Sequence, residues 1–216
     1  MFAAVLGEAL ARLSTVKQRV RAIRGQELST GGDAVSRSAK GLVFVENYAV
    51  YEYVVVRCVD AVTQTLNRRS LELGDLRPEI LALVLDPEFM SIAENSRRVW
   101  QRRAGLMRRV RSRDVAQIRD GLFPSDGSHF RCEQLETVWT LFGVGEPVVP
   151  DRRLMGRIDE MVEHRNAIAH GRDAPESVGG RYSVDEIEAR VDDIEIVCTH
   201  VVSTLAEYCM LPGAFR

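Results

Sequence analysis

Three side chains that can move a proton or hold a charge lie close together in the last third of the chain: Arg165, Asn166 and His170. An imidazole titrates near neutral pH and acts as base or acid. A guanidinium stabilises a phosphorane through its fixed fork of donors. The Asn166 amide could orient the imidazole or the scissile phosphate. These groups fit RNA cleavage without a metal, in which the 2′-OH attacks the adjacent phosphate.

This cleavage needs two proton transfers, and one histidine does not easily perform both. The other three histidines, His129, His164 and His200, do not occupy matching positions. A two-fold dimer that brings two copies of the helix together would place two His170 and two Arg165 side chains in one cleft. We therefore expect a homodimer through the helix that carries Arg165 and His170.

The helix predicted between Asp151 and Gly171 must position these groups, because Asp151 can cap its start and Gly171 can end it. Arg165 falls in the middle of its apolar stripe, where an unpaired charge would cost several kcal/mol. A second predicted helix, over residues 42–67, carries Glu52 in its own apolar stripe. We predict that Glu52 contacts Arg165. Two roles stay open for the pair: a structural salt bridge, or support for catalysis.

The other patterns are also helical. Apolar spacing predicts helices over residues 2–24, 131–142 and from about 184 onward, the last opened by a Ser183–Glu186 capping box. The run Val54 to Val56 would suit a strand, but the segment is long and lacks Gly and Pro. Shorter helices are predicted at 79–85 and 88–119, a break at 29–33, a loop at 121–127 and a turn at 175–180. The fold class is all-α: one domain over 1–216, an antiparallel bundle of about four to five main helices with an inserted helical arm near 70–130.

The arm is rich in arginine, although the whole chain has a net charge of -2 and no global positive field. These arginines surround Trp100 and are Arg97, Arg98, Arg102, Arg103, Arg108, Arg109, Arg111 and Arg113. One interpretation is a phosphate-binding patch for tRNA or another structured RNA. The other is a solvated face whose arginines pair with acids of this protein. The apolar side is too thin to favour a membrane.

No cofactor or metal is expected. The four cysteines form no CxxC pair, and His129 with Cys132, Cys198 and His200 lacks the spacing of a known zinc site. No phosphate-binding glycine loop and no nucleophile elbow occurs. The apolar start of the chain is interrupted by Glu8 and Arg12, so neither a signal peptide nor a span is predicted. These features predict a cytoplasmic protein with reduced thiols.

The segment from Glu163 to Gly171, EHRNAIAHG, resembles the HEPN superfamily signature: an Arg and a polar residue followed after a short spacer by His, often with Gly next. Its context is similar to the stand-alone RiboL-PSP or MAE-like branch, with Leu-Phe-Gly at 141–143, an aromatic-plus-Glu segment at 48–52 and a last helix begun by Ser183. The resemblance covers about residues 42–67 and 131–209. The arm has no counterpart in it.

This resemblance implies a metal-independent endoribonuclease that dimerises through the motif helices and works in bacterial defence or toxin-antitoxin systems. Arg165 and His170 would be its catalytic pair and Asn166 its variable polar position. An antitoxin or a defence-system protein would be a partner. The alternative function is a catalytically inactive helical module that binds RNA or another protein.

Overall fold

The computed structural model describes residues 1–94, 98–119, 121 and 130–216. Over these residues the regular structure is helical, apart from one isolated bridge between Glu72 and Val115. This confirms the predicted all-α class. The helices are α1 (Phe2–Thr30), α2 (Ala34–Arg68), α3 (Pro78–Val84), α4 (Asp86–Glu94), α5 (Val99–Val110), α6 (Cys132–Phe142), α7 (Arg153–Ala169), α8 (Pro175–Gly179) and α9 (Val184–Met210).

Helix α2 is the centre of the bundle and packs against α1, α7, α8 and α9. Its valines are buried on several sides of the helix because it has neighbours on several sides. The Val54 to Val56 run therefore lies within a helix, as predicted, and not in a strand. Among the described residues, no helix is long and apolar enough to cross a membrane.

Two predicted helix boundaries were wrong. Helix α1 continues to Thr30 and ends at Gly31, whose φ of 73° suits glycine. Helix α2 begins at Ala34, a little more than two turns before the predicted start, because the Asp33 side chain caps it by accepting from the Ser36 N–H at 2.8 Å. The first turns of α2 are polar and carry no apolar periodicity. Buried Lys40 is instead held by the Tyr182 carbonyl at 2.7 Å.

Residues 175–179 were predicted as part of a turn but form the short helix α8, which packs closely on α2. The contact depends on two glycines. A Cβ at Gly41 would overlap the Pro175 carbonyl, and a Cβ at Gly179 would overlap the Arg37 carbonyl. Backbone therefore lies directly on backbone, which fixes the segment between α7 and α9 against α2.

The segment between α2 and α6 leaves the bundle and returns to it. The two ends of its first part are joined: Leu73 N–H donates to the Asp114 carbonyl at 2.9 Å, and Ala116 N–H donates to the Leu71 carbonyl at 2.8 Å. The single helical piece predicted over 88–119 is instead α4 and α5, followed by a non-helical return from 111 to 119. The loop predicted at 121–127 lies almost wholly outside the described residues.

Candidate active site

Helix α7 holds the candidate residues and ends just before His170. The helix begins at Arg153 with Arg152 as its N-cap residue, one position after the predicted cap, and Asp151 accepts from the Arg153 N–H at 2.9 Å just before it. At the other end, His170 N–H donates to the Asn166 carbonyl at 3.0 Å, and Gly171 adopts a φ of 67°. The His170 side chain is exposed. The imidazole is therefore presented at the rim of the bundle by the last turn of a regular helix.

Arg165 is half-buried and lies against an aromatic ring of α2. Its guanidinium carbon is 4.4 Å from the ring centroid of Tyr48, a cation–π distance, and its Nη1 donates to Asn166 Oδ1 at 2.9 Å. Tyr48 is only 2% exposed. These contacts hold the charge at a fixed place on the helix, five residues before His170.

Glu52 reaches this site through Tyr48. The Tyr48 hydroxyl donates to Glu52 Oε1 at 3.0 Å, and no ion pair among the described residues joins Glu52 to Arg165. In place of the predicted contact between the two charges, the structure shows a contact of Tyr48 with each of them. Burial and the nearby Glu52 charge raise the pKa of Tyr48 to about 12, so the phenol keeps its proton at neutral pH and stays a donor.

Asn166 is buried, at 6% exposure, whereas His170 is exposed. The spacing predicted that both face one groove. In the structure, the Asn166 side chain accepts a hydrogen bond from the Arg165 guanidinium, and the Asn166 backbone carbonyl accepts the helical hydrogen bond from the His170 N–H. Asn166 therefore positions Arg165.

A second polar network, which the sequence did not reveal, fixes the opposite side of α7. His164 Nε2 lies 2.6 Å from the Tyr182 hydroxyl, and that hydroxyl donates to Glu160 Oε1 at 3.0 Å. Arg190 of α9 donates twice to Glu160, both times at 3.0 Å. The His164 ring also meets Phe44 edge-on at 4.7 Å. Burial lowers the pKa of His164. Because the Tyr182 hydroxyl donates its single proton to Glu160, His164 Nε2 is the donor in its contact with Tyr182.

Exposed arginines flank the motif. Glu163 accepts from Arg131 at 2.9 Å and from Arg172 at 3.2 Å. The hydrogen bond from Arg131, together with the charge of Arg172, holds the pKa of Glu163 below its usual range. All three side chains are exposed, so a phosphate could exchange with the Glu163 carboxylate for the same two guanidiniums.

The predicted arginine patch lies mainly on α5, which packs against α4 and the turn at Leu73–Asp75. Arg102 donates to the Ser91 carbonyl at 2.7 Å, and Arg109 forms an ion pair with Glu88. Arg98, Arg103 and Arg108 are exposed. Arg97 lies outside the described residues.

The cysteines are buried and not paired, and burial raises the pKa of each thiol. A search of the described part of the chain finds no group of three or more His, Cys, Asp or Glu side chains placed to hold a metal ion.

Comparison with known proteins gives one family. The family model described as HEPN_MAE_28990/-like HEPN matches residues 9–212, almost the whole chain. Neither the curated proteins nor the solved structures gave a match. The matched range includes the arm near 70–130, for which the sequence motifs alone suggested no counterpart.

Proposed function

Because the chain belongs to the MAE_28990/-like HEPN family, in a superfamily generally associated with ribonucleases, we propose that it is a metal-independent endoribonuclease. One observation carries the proposal. His170 is exposed at the end of α7, five residues after an Arg165 whose guanidinium Tyr48 and Asn166 hold in place. The site therefore combines an accessible proton carrier with a positioned cation.

In the proposed reaction, the ribose 2′-oxygen forms a bond to phosphorus and the bond from phosphorus to the 5′-oxygen breaks. A base takes the 2′-OH proton, and an acid gives a proton to the leaving 5′-oxygen. His170 performs one of these transfers. Arg165 stabilises the negative charge that builds on the phosphorane oxygens. The products are a 2′,3′-cyclic phosphate and a 5′-hydroxyl.

The second proton carrier is supplied by a second copy of the chain. We propose a homodimer through the outer face of α7, where Gly156, Glu163, Ala169 and His170 are exposed. A two-fold axis there would give one cleft with two His170 side chains, one as base and one as acid.

The cellular role is proposed from the resemblance: a toxin or anti-phage effector of the cytoplasm, held in check by an antitoxin or by a defence-system partner. RNA is its substrate, with tRNA as one target class. The test of this role is growth arrest on induction of the wild type but not of His170→Ala, with full-length RNA lost during the arrest.

The direct test is cleavage of total cellular RNA by purified protein in excess EDTA. The wild type is compared with His170→Ala and with His200→Ala, a control that changes a histidine of α9 bonded to the Pro147 carbonyl. We expect cleavage by the wild type and the control, loss in His170→Ala, and products with 2′,3′-cyclic phosphate ends. Equal cleavage by all three proteins, or no cleavage by a folded dimer on any RNA, would contradict the proposal; the second result would favour the inactive binding module.

A further inference from the structure

The arm carries a segment of unbalanced positive charge. Residues 98–113 contain seven arginines and no acidic residue. The other 200 residues contain the remaining 22 basic residues and all 31 acidic residues, a net charge of -9. A polyanion would be repelled by most of the molecule and attracted to this one segment.

Helix α5 separates its arginines onto two faces. The inner face carries Arg102, Leu106 and Arg109 and lies against α4. Arg102 is bound to the Ser91 carbonyl, Arg109 is paired with Glu88, and Leu106 is buried. These inner arginines hold the arm together. They are therefore removed from the patch that the sequence predicted.

The outer face of α5 is defined by Trp100, Arg103, Met107 and Arg108 of the helix and by Arg111, the residue directly after it. Trp100 is 75% exposed and Met107 is 60% exposed. Arg103 lies 5.0 Å from the Trp100 ring centroid. None of the three arginines of this face takes part in an ion pair with the described residues. The face thus offers cations without internal counter-charges, beside an open aromatic ring.

We propose that this outer face of α5 is an RNA-binding surface, with the three arginines on phosphates and a base stacked on Trp100. A guanidinium fork matches phosphate, and an indole ring stacks on any base. A helix that lies on a membrane segregates its apolar side from its charges. Here Arg103 and Arg108 lie on the same face as Trp100 and Met107, which favours a nucleic acid over a lipid surface.

This inference deepens the proposed function: the arm binds the RNA that α7 would cleave. Affinity for substrate and chemistry on it would then be carried by separate elements, since α5 packs mainly on α4 and not on the motif helix. Removing the arm contacts should weaken substrate binding and raise KM. The chemical step on bound RNA should be retained.

The test measures binding of a fluorescent single-stranded RNA of mixed sequence, with 2′-O-methyl groups so that it cannot be cleaved. The variant is Arg103→Gln/Arg108→Gln/Arg111→Gln, and the matched control is Arg21→Gln/Arg57→Gln/Arg68→Gln, at exposed arginines of α1 and α2. Both have the same net charge. Each phosphate contact contributes about 0.7 to the slope of log affinity against log salt, so we expect the slope to fall by about 2 in the arm variant alone.

Trp100→Ala tests the stacking part. Loss of one stacked base should weaken binding by about 5- to 150-fold with an unchanged salt slope. Circular dichroism and the melting temperature establish that each variant is folded. Equal affinity and slope in the wild type, the arm variant and the control would overturn the inference. So would binding of phosphatidylserine vesicles that is lost in the arm variant while RNA binding is kept.

The result is separable from the proposed function. If the wild type cleaves RNA and the arm variant binds and cleaves as the wild type does, the arm inference is wrong and the ribonuclease proposal stands. If the wild type binds RNA through the arm but cleaves none, the arm inference stands without the ribonuclease.

Discussion

Replacing Arg165 and His170 one at a time should show that Arg165 contributes to both stability and catalysis, whereas His170 contributes to catalysis alone. Arg165 stacks on Tyr48 and donates to Asn166. A cation–π contact at a partly buried site contributes about 1 kcal/mol, and a hydrogen bond from a charged donor about 1.5 kcal/mol or more. Because such terms are not fully additive, Arg165→Ala should lower the free energy of unfolding by about 2 kcal/mol.

In a chain of this size, about 2 kcal/mol lowers the melting temperature by about 4–8 °C. His170 is exposed, and its backbone hydrogen bond to Asn166 survives substitution. His170→Ala should therefore cost less than about 1 kcal/mol. Both variants should cut RNA at least about a hundredfold more slowly. His170→Ala loses a proton carrier, and Arg165→Ala loses the cation that stabilises the negative charge of the phosphorane.

The assay pairs thermal unfolding with RNA cleavage in EDTA on the same preparations. Arg165→Lys is the informative control: it keeps the charge but loses the planar stacking on Tyr48 and the fork, so it should melt between the wild type and Arg165→Ala and still cleave poorly. The reasoning is refuted if His170→Ala melts as early as Arg165→Ala. It is also refuted if Arg165→Ala loses stability but cleaves at the wild-type rate, since Arg165 would then be structural only.

Four further outcomes follow from the same contacts. Tyr48→Phe should lower the free energy of unfolding by about 1–3 kcal/mol, measured by thermal unfolding, because the Glu52 carboxylate loses its donor. It should still cleave RNA better than Tyr48→Leu, which also removes the ring under the Arg165 guanidinium. The folded-state pKa of His164 is lowered from 6.5, so its contribution to stability is complete above pH 6.5 and is lost as the pH falls toward the lowered value; the slope of stability against pH below 6.5 should be smaller in His164→Gln. Gly179→Ala should cost about 2 kcal/mol or more through overlap with α2, whereas Gly156→Ala, where an added Cβ meets nothing, should gain up to about 1 kcal/mol, both measured by denaturant unfolding. The last test mixes wild type with an equal amount of His170→Ala and lets the subunits exchange. If one cleft needs two histidines, activity should fall to about one quarter of that of wild type at the same total protein concentration. If each chain works alone, it should fall to about one half.

The helices that hold the site were predictable because their signals are local. The Ser183–Glu186 capping box and the Gly171 stop are complete within four or five residues, and both occur in the structure as predicted. The Asp33 cap that begins α2 early is also local, but the burial of Lys40 in the second turn was not predictable in this way. Lys40 reaches the Tyr182 carbonyl, 142 positions later in the chain.

The chemistry of the site was harder to predict than its position. The rule that a buried charge needs a partner holds for Arg165, but the partner predicted from the sequence was the carboxylate of Glu52. An aromatic face is the other partner that a guanidinium accepts, and Tyr48 lies one turn before Glu52 on the same stripe. The contact of His164 with Tyr182 could not be predicted from the sequence, because it depends on how α8 folds between the two residues.

Two neighbouring side chains, Arg165 and His164, hold helix α7 on two sides. Arg165 fixes it to α2 through Tyr48, and His164 fixes it to the start of α9 through Tyr182. A rotation of α7 about its axis would break one of these two sets of contacts. The backbone that carries the exposed His170 is therefore fixed in orientation, which the proposed role of His170 as a general acid or base requires. The second network thus contributes to the site by fixing the orientation of the helix, although none of its residues belongs to the motif.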